Sequence, residues 1–213
     1  PFNESWPSRM DENYLYSPNT KAFPETIADH ALKAPPIEEV YSKVGQAKYS
    51  KIAREYQRHF QENRWTNTSF QFYLNDKYYY KDPAQGGRGT SWWLLDEPNH
   101  RDDWLAIGFF SDLFSRSLLP NTGVKLVLRE DISRPQWERG LLDGKMDLMV
   151  VNNELFAKQD LLRDQKKRTG VTFWNYGTAN NIDESNTNIE AWAILAWLYG
   201  ADGIVPWNSI GSD

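Results

Sequence analysis

Apolar residues along this chain come in short bursts, each ending in polar residues and each followed by a helical period. The stretch VGQAKYSKIAREYQRHFQENRW sets Ile52, Tyr56 and Phe60 on one helical face, with Lys51, Arg54, Gln57 and Arg58 opposite. Beyond it SFQFYLND, SWWLLDEP, VKLVLRED, MDLMVVNN, VTFWNYGT and ADGIVPWNS read as strands. Their apolar runs are nearly continuous, the mark of strands covered on both faces. The segments between them, WLAIGFFSDLFSRSLL, PQWERGLLDG, ELFAKQDLLRDQKKRTG and NTNIEAWAILAWLYG, carry a helical pattern, and the last two close on Gly. Strand and helix in alternation, with right-handed crossovers, make a parallel sheet. Strand starts fall roughly 20 to 33 residues apart, close to the ~30 residues per unit of an eight-stranded barrel. A doubly wound sheet would place a Gly-rich phosphate turn after a strand, and none is present. The fold expected is therefore α/β, a (β/α)8 TIM barrel of which residues 46–213 hold about six strands, the third to the eighth. The first two strands are expected upstream, because a partial barrel leaves two open edges. Residues 1–45, rich in Pro, Asn and aromatics, are expected to form a long irregular segment packed on the barrel rim.

Every one of these strands is expected to end in polar residues. Asn75 and Asp76 finish the first, with Lys77 just beyond, and Asp96 and Glu97 finish the second. Arg129, Glu130 and Asp131 come next, then Asn152 and Asn153, Asn175 and Tyr176, and Trp207 and Asn208. In a barrel these C-terminal ends meet on one rim, where active sites are built. Acidic doublets also occur at Asp11–Glu12, Glu38–Glu39, Asp102–Asp103 and Asp183–Glu184, where they read as solvated loops. Asp96–Glu97 differs by position, with Trp92 and Trp93 before it and Pro98 directly after. Glu130 and Asp131 can instead be simple partners of Arg129 and Arg134, and Asn152 and Asn153 can satisfy loop backbone. Trp192 and Trp197 fall within a helix and read as core, whereas Trp174 and Trp207 sit at strand ends where a ligand could stack. One geometric objection stands. Consecutive strand residues face opposite sides, so Asp96 and Glu97 share a site only if the strand stops between them, as Pro98 allows.

Composition narrows the chemistry. A net charge of -5 gives no electrostatic footprint for nucleic acid. No apolar run reaches the ~20 residues of a membrane span. The first 30 residues lack a signal-peptide pattern, and a chain opening on Pro1 without Met reads as a piece of a longer polypeptide. With no Cys, and with His30, His59 and His100 in no ligand spacing, neither a metal nor a cofactor is expected. The unusual quantity is aromatic content: 10 Trp, 11 Tyr and 10 Phe. Part of this belongs to a core; the excess of Trp suits a cleft in which sugar faces stack on flat rings.

The phrases WWLLDEP, HFQENRWTNTSFQFYLND and AWAILAWLYGADGIVPWNS resemble glycoside hydrolases of family 123, a resemblance covering most of residues 45 to 213. Those enzymes are (β/α)8 barrels, and the known members are β-N-acetylgalactosaminidases. The resemblance implies substrate-assisted hydrolysis, in which the sugar's 2-acetamido oxygen, not a protein carboxylate, attacks the anomeric carbon. Carried onto this chain, it makes Asp96 the residue that orients the acetamide and Glu97 the acid and then base. Tyr176 is implied to bind the acetamide carbonyl and Trp174 and Trp207 to wall the pocket, while Asn75, Lys77, Arg129, Asn152 and Asn208 are further candidates for substrate contact. The substrate is then a glycan or glycoconjugate, met in a secreted, periplasmic or cell-surface setting. The nearest alternative is a two-carboxylate retaining glycosidase with its acid in the Asp-Glu-Pro phrase, but TFWNYGT offers no nucleophilic Glu. A carbohydrate-binding barrel without catalysis is the alternative from another class.

Overall fold

The computed structural model of the protein describes residues 37–74, 93–99, 101–177 and 183–206. The described elements are α1 (Ile37–Val40), α2 (Lys43–Glu62), β1 (Ser69–Tyr73), α3 (Arg101–Ser117), β2 (Lys125–Ile132), β3 (Leu148–Val151), α4 (Glu154–Ala157), α5 (Gln159–Thr169), β4 (Thr172–Gly177), α6 (Asn186–Leu198) and β5 (Gly203–Pro206), with a 3-10 turn at Pro135–Trp137. This is an α/β fold whose sheet runs β1-β2-β3-β4-β5 in chain order. The pairs β2–β3, β3–β4 and β4–β5 are parallel. The order never reverses along the described strands, so the crevice that defines a doubly wound sheet is not made here. No helix among the described residues is long and apolar enough to cross a membrane.

Over its described residues, one expected strand is not formed. Residues 93–99 of the SWWLLDEP run adopt bends and irregular backbone, and β1 and β2 are neighbours in the sheet order. The reason is local. The Leu94 N–H, a group a ladder would use, donates to the Asp103 carboxylate at 3.0 Å, and Pro98 has no N–H to offer. Helix α1 and the start of α2 fall inside the stretch expected to be irregular; residues 1–36 lie outside the described residues.

The chain divides into two compact units, residues 1–128 and 129–213. In the first, α2 begins at Ser42, whose hydroxyl accepts from the Gly45 N–H at 3.0 Å and so caps the helix. Its buried stripe is Gly45, Tyr49, Ala53, Gln57 and Phe60, one position round from the expected Ile52–Tyr56–Phe60 face. Gln57, expected on the polar side, is buried. It closes the loop after α3, donating to the Leu119 carbonyl and accepting from the Leu119 N–H at 2.9 and 2.7 Å. Aromatic rings fill this core: Tyr41 meets Phe110 edge-on at 5.1 Å, Phe72 meets Phe114 at 4.4 Å, and Phe60 stacks on Phe70 at 3.7 Å. Much of the aromatic excess is therefore structural.

In the second unit, β3 is buried at every position, as a central parallel strand requires. Helix α5 ends on Gly170 in the left-handed region at φ 76°, with Lys166, Lys167 and Arg168 in its last turn, where cations suit the helix dipole. The single helix expected from ELFAKQDLLRDQKKRTG is divided at Lys158 into α4 and α5. Helix α6 buries only Trp192 and Ala196. Trp197, expected in the core, is 73% exposed.

Candidate functional site

Within the first unit the acidic doublet sits on a turn that follows a buried apolar run. Trp93, Leu94 and Leu95 are buried, Asp96 is 2% exposed, and Glu97 is half-buried. Glu97 has φ 57°, the left-handed region that a side chain with a Cβ rarely enters. Three other described non-glycine residues share this conformation, Arg64, Asn121 and Arg139, and all three lie in exposed turns. Glu97 alone among them is not exposed. The alternation that would have sent Asp96 and Glu97 to opposite sides of a strand does not apply across such a bend.

What holds the turn is Asp103, in the first turn of α3. Its two carboxylate oxygens accept from Leu94 N–H and from Asn99 N–H, each at 3.0 Å, on either side of the acidic pair. Asp103 is 1% exposed. From the sequence alone Asp102–Asp103 reads as a solvated doublet. The available signal was that Asp103 lies in the first helical turn after a Pro-Asn break, where a carboxylate is favoured by the dipole and meets unpaired backbone donors.

The second unit arranges its candidates by face. Register pairs Asp131 with Val150, Val150 with Trp174, and Trp174 with Gly203, so these residues share one side of the sheet. Alternation adds Arg129 and Tyr176 to that side. Arg129 and Asp131 form a two-pronged ion pair, Nε to Oδ1 at 2.8 Å and Nη2 to Oδ2 at 2.9 Å. Two of Arg129's donors are thus engaged within the strand, which is the simple pairing the sequence left open. Arg134 takes no carboxylate in that pairing; it donates to Ser133 at 2.8 Å and lies over the Trp137 ring. Trp174 lies against Gly203: a Cβ there would stand 2.9 Å from the indole nitrogen. The missing side chain at Gly203 is what lets the ring lie across β5.

Asn175 faces the other way and is fully buried. Its amide donates to the carbonyls of Val151 and Asn152 at 2.8 and 2.9 Å, and its carbonyl accepts from the Trp192 indole. This is a tie between β4, the end of β3 and α6. The Asn152 side chain accepts from Glu154 N–H at 2.9 Å, satisfying the loop backbone that starts α4. Glu130 is fully buried, on the side of Asn175. Asn75, Lys77, Trp207 and Asn208 lie outside the described residues.

The structure therefore brings Arg129, Trp174 and Tyr176 to one sheet face within the second unit, and sets Asp96 and Glu97 together on one stapled turn within the first. Compared with known proteins, the chain matches no family model, no curated protein and no solved structure.

Proposed function

We propose that this chain is the greater part of a (β/α)8 catalytic barrel of a glycoside hydrolase, removing N-acetylhexosamine, with β-N-acetylgalactosamine the expected sugar, by substrate-assisted retaining hydrolysis. The observation that carries the reading is the conformation of Glu97: a left-handed, non-exposed carboxylate beside a buried Asp96, in a turn pinned from both sides by Asp103. Backbone strain of this kind costs on the order of 1–3 kcal/mol and persists where the surroundings over-determine it, as at active sites. A sheet whose described strands follow chain order, with β2 to β5 paired in parallel, supports a barrel.

In this reading the acetamido oxygen attacks C1 as the C1–O bond breaks, and Glu97 gives its proton to the departing oxygen. Water then adds at C1, Glu97 takes back a proton, and the oxazolinium ring reopens to the acetamide. Asp96 orients the acetamide N–H and offsets the positive charge that develops. An intramolecular nucleophile can reach an effective molarity of ~10⁵ M or more, so no second protein nucleophile is required.

The test is turnover of aryl N-acetyl-β-galactosaminides. Glu97→Gln is expected to cost far more activity on a poor leaving group than on a good one, because only the poor one needs the proton, while loss of the base slows the water step for both. A thiazoline analogue of the oxazoline is expected to inhibit competitively. An active enzyme indifferent to the thiazoline would refute the acetamide mechanism. Sugar binding without turnover, unchanged in Glu97→Gln, would identify a carbohydrate-binding barrel instead.

A further inference from the structure

The helix-covered side of β4 holds an opening that the proposed hydrolase does not use. A cavity of about 200 Å³ is lined by Leu155 of α4, Leu162, Arg163 and Lys166 of α5, Phe173 of β4, and Tyr199 beyond α6. Phe173 and Trp174 are consecutive on a strand, so the cavity and the Trp174–Tyr176 face lie on opposite sides of the sheet. Leu155, Leu162 and Phe173 are each at most 4% exposed and make the apolar wall. A dry apolar cavity of ~150 Å³ accommodates benzene, so this one has room for a ring bearing a short substituent.

Its two cations are not equivalent. Lys166 is paired with Asp202 at 2.5 Å, and the other oxygen of that carboxylate accepts from Phe173 N–H at 3.0 Å, so Asp202 fastens α5 to β4. Arg163, one turn before Lys166, makes no hydrogen bond or ion pair with any described residue. The lining thus combines an apolar wall with a single uncommitted positive charge, and a guanidinium presents the forked donors that match a carboxylate. Lys166 and Asp202 cancel one another, which favours a monoanion over a doubly charged phosphate.

We propose that this cavity binds a small amphiphilic carboxylate, its apolar body against Leu155, Leu162 and Phe173 and its carboxylate on Arg163. The probe pair is 4-ethylbenzoate and its neutral counterpart, 4-ethylbenzyl alcohol, titrated into the full chain by calorimetry or saturation-transfer NMR. The benzoate is expected to bind in the millimolar range or tighter. Arg163→Gln, a change at an exposed position, is expected to weaken the benzoate by about tenfold, as loss of a charge-assisted contact does, and to leave the alcohol unchanged. Leu162→Trp, which fills the cavity, is expected to exclude both. Absence of benzoate binding at millimolar concentration, or equal affinity in wild type and Arg163→Gln, overturns the proposal. Should Leu162→Trp fail to fold, the Arg163→Gln comparison decides alone.

Discussion

Asp103 and Gly203 show how much can depend on one side chain, or on its absence. The Asp103 carboxylate accepts two backbone donors that flank the acidic pair and lie nine and four residues away from it in sequence. Nothing in an isolated acidic doublet distinguishes that from a solvated loop, because the distinction rests on where two distant N–H groups come to lie. Removing the acceptors in Asp103→Ala leaves both donors unsatisfied, at about 1–3 kcal/mol for each that is cut off from water. The expected outcome is a lower urea midpoint, with faster hydrogen exchange at the Leu94 and Asn99 amides than elsewhere in the first unit. Asp103→Asn, which keeps one acceptor oxygen, should fall between. At Gly203 the logic is steric. A Cβ placed 2.9 Å from the Trp174 indole nitrogen forces the ring to move, so Gly203→Ala should change the Trp174 contribution to near-ultraviolet circular dichroism. Trp174→Phe identifies that contribution, and a Gly203→Ala spectrum identical to wild type would show that the ring is not held there.

At the scale of elements, the sequence was clearest where polar and apolar positions alternate with one period and weakest where they do not. Helix α2 was legible as a helix, but its buried stripe lies one position round, because Gln57 makes its contacts inside and a polar residue gives no warning of that. Helix α6 is apolar on nearly every side, so its sequence carries no direction: the period says helix and cannot say which face turns inward. Trp192 and Trp197 looked alike for this reason, yet one is 8% exposed and tied to Asn175 while the other is 73% exposed. The two should therefore respond differently to substitution. Trp197→Ser should shift stability by no more than about 0.5 kcal/mol, as exposed positions do. Trp192→Phe deprives the buried Asn175 carbonyl of its donor and should cost about 1–3 kcal/mol. Urea denaturation of both variants checks the contrast, and equal effects would contradict the assignment of faces. Residues 93–98 of the SWWLLDEP run form no strand for a related reason: a continuous apolar run reports burial, not ladder pairing, and Asp103 takes the Leu94 backbone donor.

For the molecule as a whole, chain-ordered parallel strands were legible because the βα rhythm is written in spacing, while the polar knots that fasten the layers were not. Glu138 is such a knot. It follows the 3-10 turn, is 3% exposed, and accepts from the N–H groups of Gly140 and Leu142 and from the Gln165 amide of α5. In the sequence Glu138 reads only as part of the short helix expected over PQWERGLLDG. Burial raises its carboxyl above the ordinary value, while the Leu142 and Gly140 donors pull in the opposite direction without cancelling the effect. The sign follows from proton linkage. Where the folded form still holds a proton that the unfolded chain has released, stability falls as pH rises. Glu138 should thus contribute most below the usual Glu range, near pH 4.3, and that contribution should be lost as pH climbs through the window up to the raised folded value. Glu138→Gln, a neutral side chain that retains one acceptor oxygen, removes the titration and should flatten that part of the curve. Urea midpoints of the two proteins between pH 4 and 7 give the comparison; parallel curves would mean that Glu138 titrates alike in the folded and unfolded chain, and that the knot between the 3-10 turn and α5 is not buried in solution.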